Sequence, residues 1–350
     1  MSNQWINRLL LGLGLLVPAF ILTMIISSTL GSANIDVITV LRMLIYKIPY
    51  LGELLIIADW SDTTETIVYE IRVPRILLGG IVGGALGLAG ASFQGLLRNP
   101  LADPYTVGVS SGAAVGAVFA FMIGGGVTYL QFGLVPFFAF IGAMTAITIV
   151  YQLAKIGGRV AVETLILAGV VVGSFLTALL SFMLTRAYNN LEQVVFWLMG
   201  SLALRSWDYI IFISPFIFFG MILLWLLSRE LNVMALGEDT AHHLGVSVEK
   251  AKILVLFLAS LITALAVSIA GTIGFVGLVV PHIVRMILGP DHRVLIPISA
   301  LVGGLFLIWA DTIARIIITP SELPVGVITA LIGAPFFGYL LRVRKKSMSI

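Results

Sequence analysis

The feature that most limits what this chain can fold into is a succession of long apolar runs separated by short polar links. The runs are Leu9–Leu30, Ile76–Leu97, Thr106–Ile123, Leu134–Leu153, Leu165–Leu184, Tyr209–Leu227, Ile253–Ala270, Ile273–Leu288, Val294–Ile318 and Val325–Leu341. A membrane-crossing helix needs roughly 20 apolar residues, so about ten spans are expected. The runs are continuous rather than alternating, which favours helices over a barrel. With 59% hydrophobic and 11% charged residues, the chain lies far from the roughly one-quarter charge of a soluble domain. The expected class is an all-α polytopic membrane protein, with residues 1–350 forming one transmembrane domain. The first run is long for a signal peptide and has no clear small-residue cleavage site, so it reads as a retained span. The stretch from Ile253 to Leu288 is too long for one span and short for two, and Gly271 and Gly274 are the expected turn.

Charge orients the spans. With the N-terminus inside, seven of the 20 Lys and Arg residues fall outside: Arg42, Lys47, Arg72, Arg75, Arg186, Arg205 and Arg315. The rest fall inside, including Arg8, Arg98, Lys155, Arg159, Lys252 and the basic end Arg342–Lys346. An even number of spans then returns the C-terminus to the cytoplasm. Two polar segments punctuate the pattern. Residues 36–48 place Val37, Val40, Leu41, Leu44 and Ile45 at helical spacing, as in an outer amphipathic helix. Residues 231–252 form the longest inner polar segment. There Glu238 and Asp239 suit a first helical turn, Gly245 suits its end, and Ser247 suits the cap of the next helix.

Several motifs invite chemical readings. Gly79, Gly83 and Gly87 recur every fourth residue, echoed by Gly80 and Gly84. No Lys-Ser or Lys-Thr follows, so a phosphate loop is rejected in favour of close helix packing. The chain contains no Walker motif, so any ATP and Mg²⁺ would belong to another polypeptide. Gly108-Val109-Ser110-Ser111-Gly112 matches a nucleophile elbow, which with His282 would suggest an intramembrane serine protease. An elbow needs a strand before it, whereas these residues open a span, so a helix start is preferred and no catalytic residue is assigned. His242 and His243 are adjacent and point about 100° apart on a helix, so no metal site is expected. His282 follows Pro281 near an inner end, where a packed histidine is expected. The net charge of +3 is modest, and no nucleic-acid partner is expected. Arg72, Arg75 and Arg315 sit at outer span ends. Both interfacial anchoring by snorkelling and a docking surface for carboxylates fit them.

From Arg72 to about Leu341 the chain resembles one transporter family. The resemblance rests on Arg72-Val73-Pro74-Arg75 and on Asn99-Pro100…Asp103-Pro104 followed by Gly108 and Gly112. It continues through Phe196-Trp197-Leu198-Met199-Gly200-Ser201, the stretch around Glu238, and Gly274 through Arg285 with Pro281 and His282. Asp291-His292-Arg293, Ala310-Asp311…Arg315 and Glu322-Leu323-Pro324-Val325-Gly326 complete it. These motifs are similar to the FecCD/BtuC-type permeases, the membrane subunits of bacterial ABC importers for iron siderophores, cobalamin or haem. The resemblance implies ten helices in the type II importer permease fold and a homo- or heterodimer of permeases in the cytoplasmic membrane. It also implies two ABC ATPase subunits below and an extracytoplasmic substrate-binding protein above. Arg72, Arg75 and Arg315 would meet glutamates of the binding protein. Leu236, Gly237, Glu238, Asp239, His242, Leu244 and Gly245 would belong to the coupling element seated in the ATPase. Ferric siderophore is the first expected substrate, with cobalamin next.

Overall fold

In a computed structural model of the chain, residues 4–50, 52–124, 133–187 and 190–348 are described. The side chains of Arg344, Lys345 and Lys346, part of the expected basic end, lie outside that description. The helices are α1 (Gln4–Thr29), α2 (Val37–Tyr46), α3 (Gly52–Leu55), α4 (Asp62–Glu65), α5 (Val73–Leu96), α6 (Val109–Met122), α7 (Leu134–Ala154) and α8 (Val162–Leu184). They continue as α9 (Leu191–Leu198), α10 (Trp207–Leu226), α11 (Ser228–Met234), α12 (Glu238–His243), α13 (Val248–Ala270), α14 (Val276–Leu288), α15 (His292–Ile316) and α16 (Val325–Met348). An antiparallel two-residue hairpin, β1 (Lys155–Ile156) and β2 (Arg159–Val160), joins α7 to α8.

Seven helical stretches among the described residues are long and apolar enough to cross a bilayer. Each matches an expected span, and the shorter α6, α14 and α16 fill the remaining three positions. The fourth short apolar helix is α2, capped by the Asp36 carboxylate on the Ile38 N–H at 3.0 Å. Its buried face is Val40 and Met43, whereas Val37 and Ile45 are exposed. The apolar stripe is therefore rotated from the one expected.

The fold is wrapped around α5. Buried residues make up 89% of its apolar window, against 11% for α1, so α5 is core and α1 presents most of its surface outward. The glycine repeat explains why. A Cβ on Gly83 would strike the Gly303 carbonyl, one on Gly87 the Ser299 carbonyl, and one on Gly303 the Gly83 carbonyl. Two backbones meet there with no room for side chains, as small-residue faces in membranes permit. Gly112 and Gly142 join α6 to α7 in the same way. The helix containing α5 also starts earlier than expected. α4 and a π-helical stretch, Thr66–Arg72, run into it without a break. Pro74 lies inside this continuous helix, two residues after the π-helical stretch ends, and has no N–H to give the preceding turn.

The ambiguous stretch resolves into α13, an extended link at residues 271–275, and α14. Gly271 takes φ +72° as expected, but Phe275 (φ +70°), not Gly274, carries the second left-handed conformation. Gly271 and Ile273 of the link are buried and the other three residues half-buried, as suits non-helical backbone among membrane spans. The Tyr105 hydroxyl donates to the Ile273 carbonyl at 2.9 Å and accepts from the Ile273 N–H at 3.0 Å. Ser201 N–H donates to the Ala270 carbonyl at 2.8 Å, and the Thr272 hydroxyl donates to the Leu198 carbonyl.

Pro281 has a similar counterpart. Lacking an N–H, it leaves the Gly277 carbonyl without a helical donor. The Gln94 amide reaches that carbonyl at 3.4 Å and the Leu278 carbonyl at 3.1 Å.

Candidate functional site

Three places on the molecule gather the residues singled out by sequence. The first is the arginine cluster of Arg72, Arg75 and Arg315. Arg75 Nε lies 3.1 and 2.9 Å from the two Asp311 oxygens, Nη2 lies 2.8 Å from Oδ1, and Nη1 lies 2.8 Å from Glu322 Oε2. Arg315 Nε pairs with the other edge of Asp311 at 3.3 Å. Its Nη2 donates to the Ser27 hydroxyl at 2.9 Å, and its Nη1 donates to the Leu30 carbonyl at 3.4 Å. Arg72 donates to the carbonyls of Ser28 at 2.8 Å, Thr29 at 3.0 Å and Ala33.

Arg72 and Arg315 therefore cap the end of α1. A helix C-terminus carries orphan carbonyls and partial negative charge, and cations satisfy both. The expectation of a solvent-facing arginine surface is corrected. The three residues share one end of the molecule but are 5%, 7% and 6% exposed, and each is bonded within the chain. Neither buried Asp311 nor the polar end of α1, Ser27-Ser28-Thr29, was singled out from sequence as their partner. Glu322 is the open member, with its side chain 41% exposed.

The second place is the polar segment at residues 231–252. α12 begins at Glu238 and Asp239 and ends in a left-handed Gly245 (φ +81°), with Gly245 N–H on the His242 carbonyl and Val246 N–H on Ala241, both 3.0 Å. This is the paired bond pattern of a Schellman stop. Leu236 (67% exposed) and Leu244 (60%) project from either side of α12, leaving apolar side chains on a polar surface. His242 and His243 are exposed, and Gly237 (φ +116°) precedes the helix. The expected Ser247 cap is corrected: Ser247 precedes α13 but makes no side-chain capping bond.

The proline-rich motif positions the third place. Asn99 Oδ1 accepts from Leu101 N–H at 2.9 Å, and Asp103 Oδ1 accepts from Tyr105 N–H at 3.0 Å. These are the side-chain turns that Asn and Asp favour. With Pro100 and Pro104 they shape a tight 3₁₀ turn, Pro104–Val107, that stops at Gly108 (φ +86°). A Cβ on Gly277 would lie 3.6 Å from both Asp103 oxygens, so the carboxylate faces the positive first turn of α14. A 3₁₀ turn, not a strand, precedes Ser110, and His282 lies against Phe337 with ring centroids 6.2 Å apart. The serine-protease alternative therefore falls.

Tyr105 and Thr106 form the end of a groove that continues along α8 over Gly173, Ser174, Thr177, Ala178 and Ser181. The 174, 177, 178 and 181 positions share one face of the helix, and all four are exposed. Thr177 and Ser181 hydroxyls donate to carbonyls one turn back at 2.8 and 2.9 Å. Two of the stripe's three hydroxyls are thus held by their own helix. Sequence analysis missed it, although Ser174, Thr177 and Ser181 recur every three or four residues. On this chain the groove is open on one side.

Comparison with known proteins identifies the family. The profile of the FecCD transport family matches residues 19–343. The cobalamin import system permease protein of Halobacterium salinarum is 50% identical over 284 residues, covering 81% of this chain and 75% of the relative. The hemin transport system permease protein of Yersinia pestis is 36% identical and aligns over 100% of both chains. A solved structure described as an inward-facing conformation of a metal-chelate type ABC transporter superposes with TM-score 0.80 at 31% identity, covering 96% of this chain and 99% of that one. The chain belongs to the FecCD transport family and is a multi-pass membrane permease of the ABC importer type.

Proposed function

We propose that this chain is one of two permease subunits of an importer that carries a metal chelate, cobalamin first, across the cytoplasmic membrane by alternating access. The observation that carries the substrate choice is the 50% identity to a cobalamin import permease. It moves cobalamin ahead of the ferric siderophore expected from sequence, and the siderophore stays as the competing substrate. The α8 groove is one wall of the path, and a second permease copy supplies the other.

ATP and Mg²⁺ sit on two separate ATPase subunits that receive Leu236–Gly245. A substrate-binding protein approaches the opposite end, around Glu322 and the buried arginines. Both termini lie in the cytoplasm. Binding of ATP displaces α12, and the two groove walls change which side they open to.

The test is ATP-dependent uptake into vesicles containing this chain, an ABC ATPase and a loaded binding protein. Labelled cobalamin should accumulate above labelled ferric siderophore and haem. Preferential uptake of an iron chelate would replace the substrate. Uptake of none of them under any ATP regime would reject the importer reading.

A further inference from the structure

Lys252 is a buried lysine in the second turn of α13, its side chain 6% exposed. Its ammonium has three acceptors on three elements. They are Glu238 Oε2 of α12 at 2.7 Å, Glu249 Oε1 of α13 at 3.2 Å, and the Val160 carbonyl of β2 at 2.9 Å. A lysine has three N–H donors, so all are used. The second Glu249 oxygen accepts the Val160 N–H at 3.0 Å. Lys252 and Glu249 together thus hold both main-chain groups of one residue at the end of the hairpin. Two residues later α8 begins, the helix whose face forms the groove. On the other side Glu238, the first residue of α12, also meets Arg98 at 3.5 Å.

We infer that Lys252 is a positioning residue that ties α12 to the start of α8, so that a displacement of α12 is delivered to the groove wall. The inference rests on the importer reading for what moves α12, but the link itself is geometric. Lys252 is the shielded member, its carboxylate partners being 35% and 32% exposed, so separation would leave the buried ammonium uncompensated. The grip on Val160 uses main-chain groups, so it acts on the path of the chain and not on one side chain. An element joined in this way moves with its neighbour as a unit, which is what transmission between two sites needs.

The test measures uptake and ATP hydrolysis in the same vesicles. In Lys252→Met, uptake per ATP hydrolysed should fall about tenfold, within the range of coupling losses along packed networks. Lys252→Arg, which keeps charge and donors, should retain most of the ratio. Glu249→Gln keeps an acceptor for the Val160 N–H and should be milder than Glu249→Ala. Should Lys252→Met fail to assemble, the Glu249 pair decides, since that side chain is 32% exposed. A merely structural lysine would lower uptake and hydrolysis together and leave their ratio at the wild-type value, which overturns the inference. A wild-type chain without ATP-driven uptake would instead overturn the importer reading.

Discussion

Asp311 holds Arg75 on one edge and Arg315 on the other, and all three side chains are less than 10% exposed. One carboxylate thereby joins α5, α15 and, through Arg315, the end of α1. Removing one partner of a buried pair typically costs about 3–5 kcal/mol, because the remaining charge is left unpaired. Here two buried arginines would lose their shared carboxylate at once, leaving Arg75 with Glu322 and Arg315 with neutral acceptors alone. Asp311→Ala should therefore lower the thermal unfolding midpoint in detergent sharply. Glu322→Gln, at a half-open position, should cost about 1 kcal/mol or less and move the midpoint little. Equal effects of the two variants would show that the buried contact is not the stabilising one.

The same geometry changes what a docking experiment can read. Arg75 has three contacts to Asp311 and one to Glu322, so a partner carboxylate reaches it most readily by displacing Glu322. Glu322→Gln should then tighten association with the binding protein several-fold, and high salt should reduce the gain, as at any exposed charged rim. Titration of the purified complex with labelled binding protein measures it. Unchanged affinity at low salt would place docking elsewhere on this end.

Much of this was legible beforehand because it depends on local chemistry. Apolar run length gave the spans, and the four-residue glycine spacing gave the α5 packing face, though not its partner α15. Acidic residues before Gly245 gave α12 and its stop. What stayed hidden depends on residues far apart in sequence. Arg75 and Asp311 are 236 residues apart, and Gln94 repairs a gap made by Pro281. The arginines looked exposed because a charge at a span end is usually taken to snorkel. Their partners, Asp311 and the last carbonyls of α1, become neighbours only once the helices pack. The α8 stripe went unseen for another reason. Thr177 and Ser181 bond to their own helix, and a few small hydroxyl residues do little to separate it by hydropathy from an ordinary span.

That stripe is directly testable. Replacing Ser174, Thr177 or Ser181 by Leu adds apolar bulk to an exposed face without touching the core. Uptake should fall while folding is retained, and Thr177→Leu, at the middle of the groove, should be the most severe. Thr177→Ser should be close to wild type. The check is vesicle uptake alongside a size-exclusion profile. Full uptake in the triple Leu variant would remove the groove from the path.

Gly245 tests the proposed coupling role of α12 apart from the Lys252 node. A Cβ there meets nothing within 4 Å, so space is not the obstacle. The obstacle is φ +81°, which costs a β-branched residue on the order of 1–3 kcal/mol. Gly245→Val should unwind the Schellman stop and reorient α12, uncoupling ATP hydrolysis from uptake. Gly245→Asn, which tolerates the left-handed region, should largely preserve it. Transport at the wild-type rate in Gly245→Val would detach α12 from coupling.

Orientation is tested most simply, because the chain contains no cysteine. Arg8, Arg98, Glu238 and Lys252 collect at one end, with Arg8 bonded to the Leu288 carbonyl at 3.0 Å. Arg72, Arg75 and Arg315 collect around the far ends of α1, α5 and α15. The structure thus groups the two charge sets at opposite ends, and in the proposed topology the excess of basic residues would put the first end in the cytoplasm. Ser61 caps α4 by accepting the Thr64 N–H at 3.2 Å, and Ser247 precedes α13 without such a bond; both are exposed. In intact cells a membrane-impermeant thiol reagent should label Ser61→Cys and spare Ser247→Cys until the membrane is opened. The reverse pattern would invert the topology and with it the sides assigned to docking and coupling.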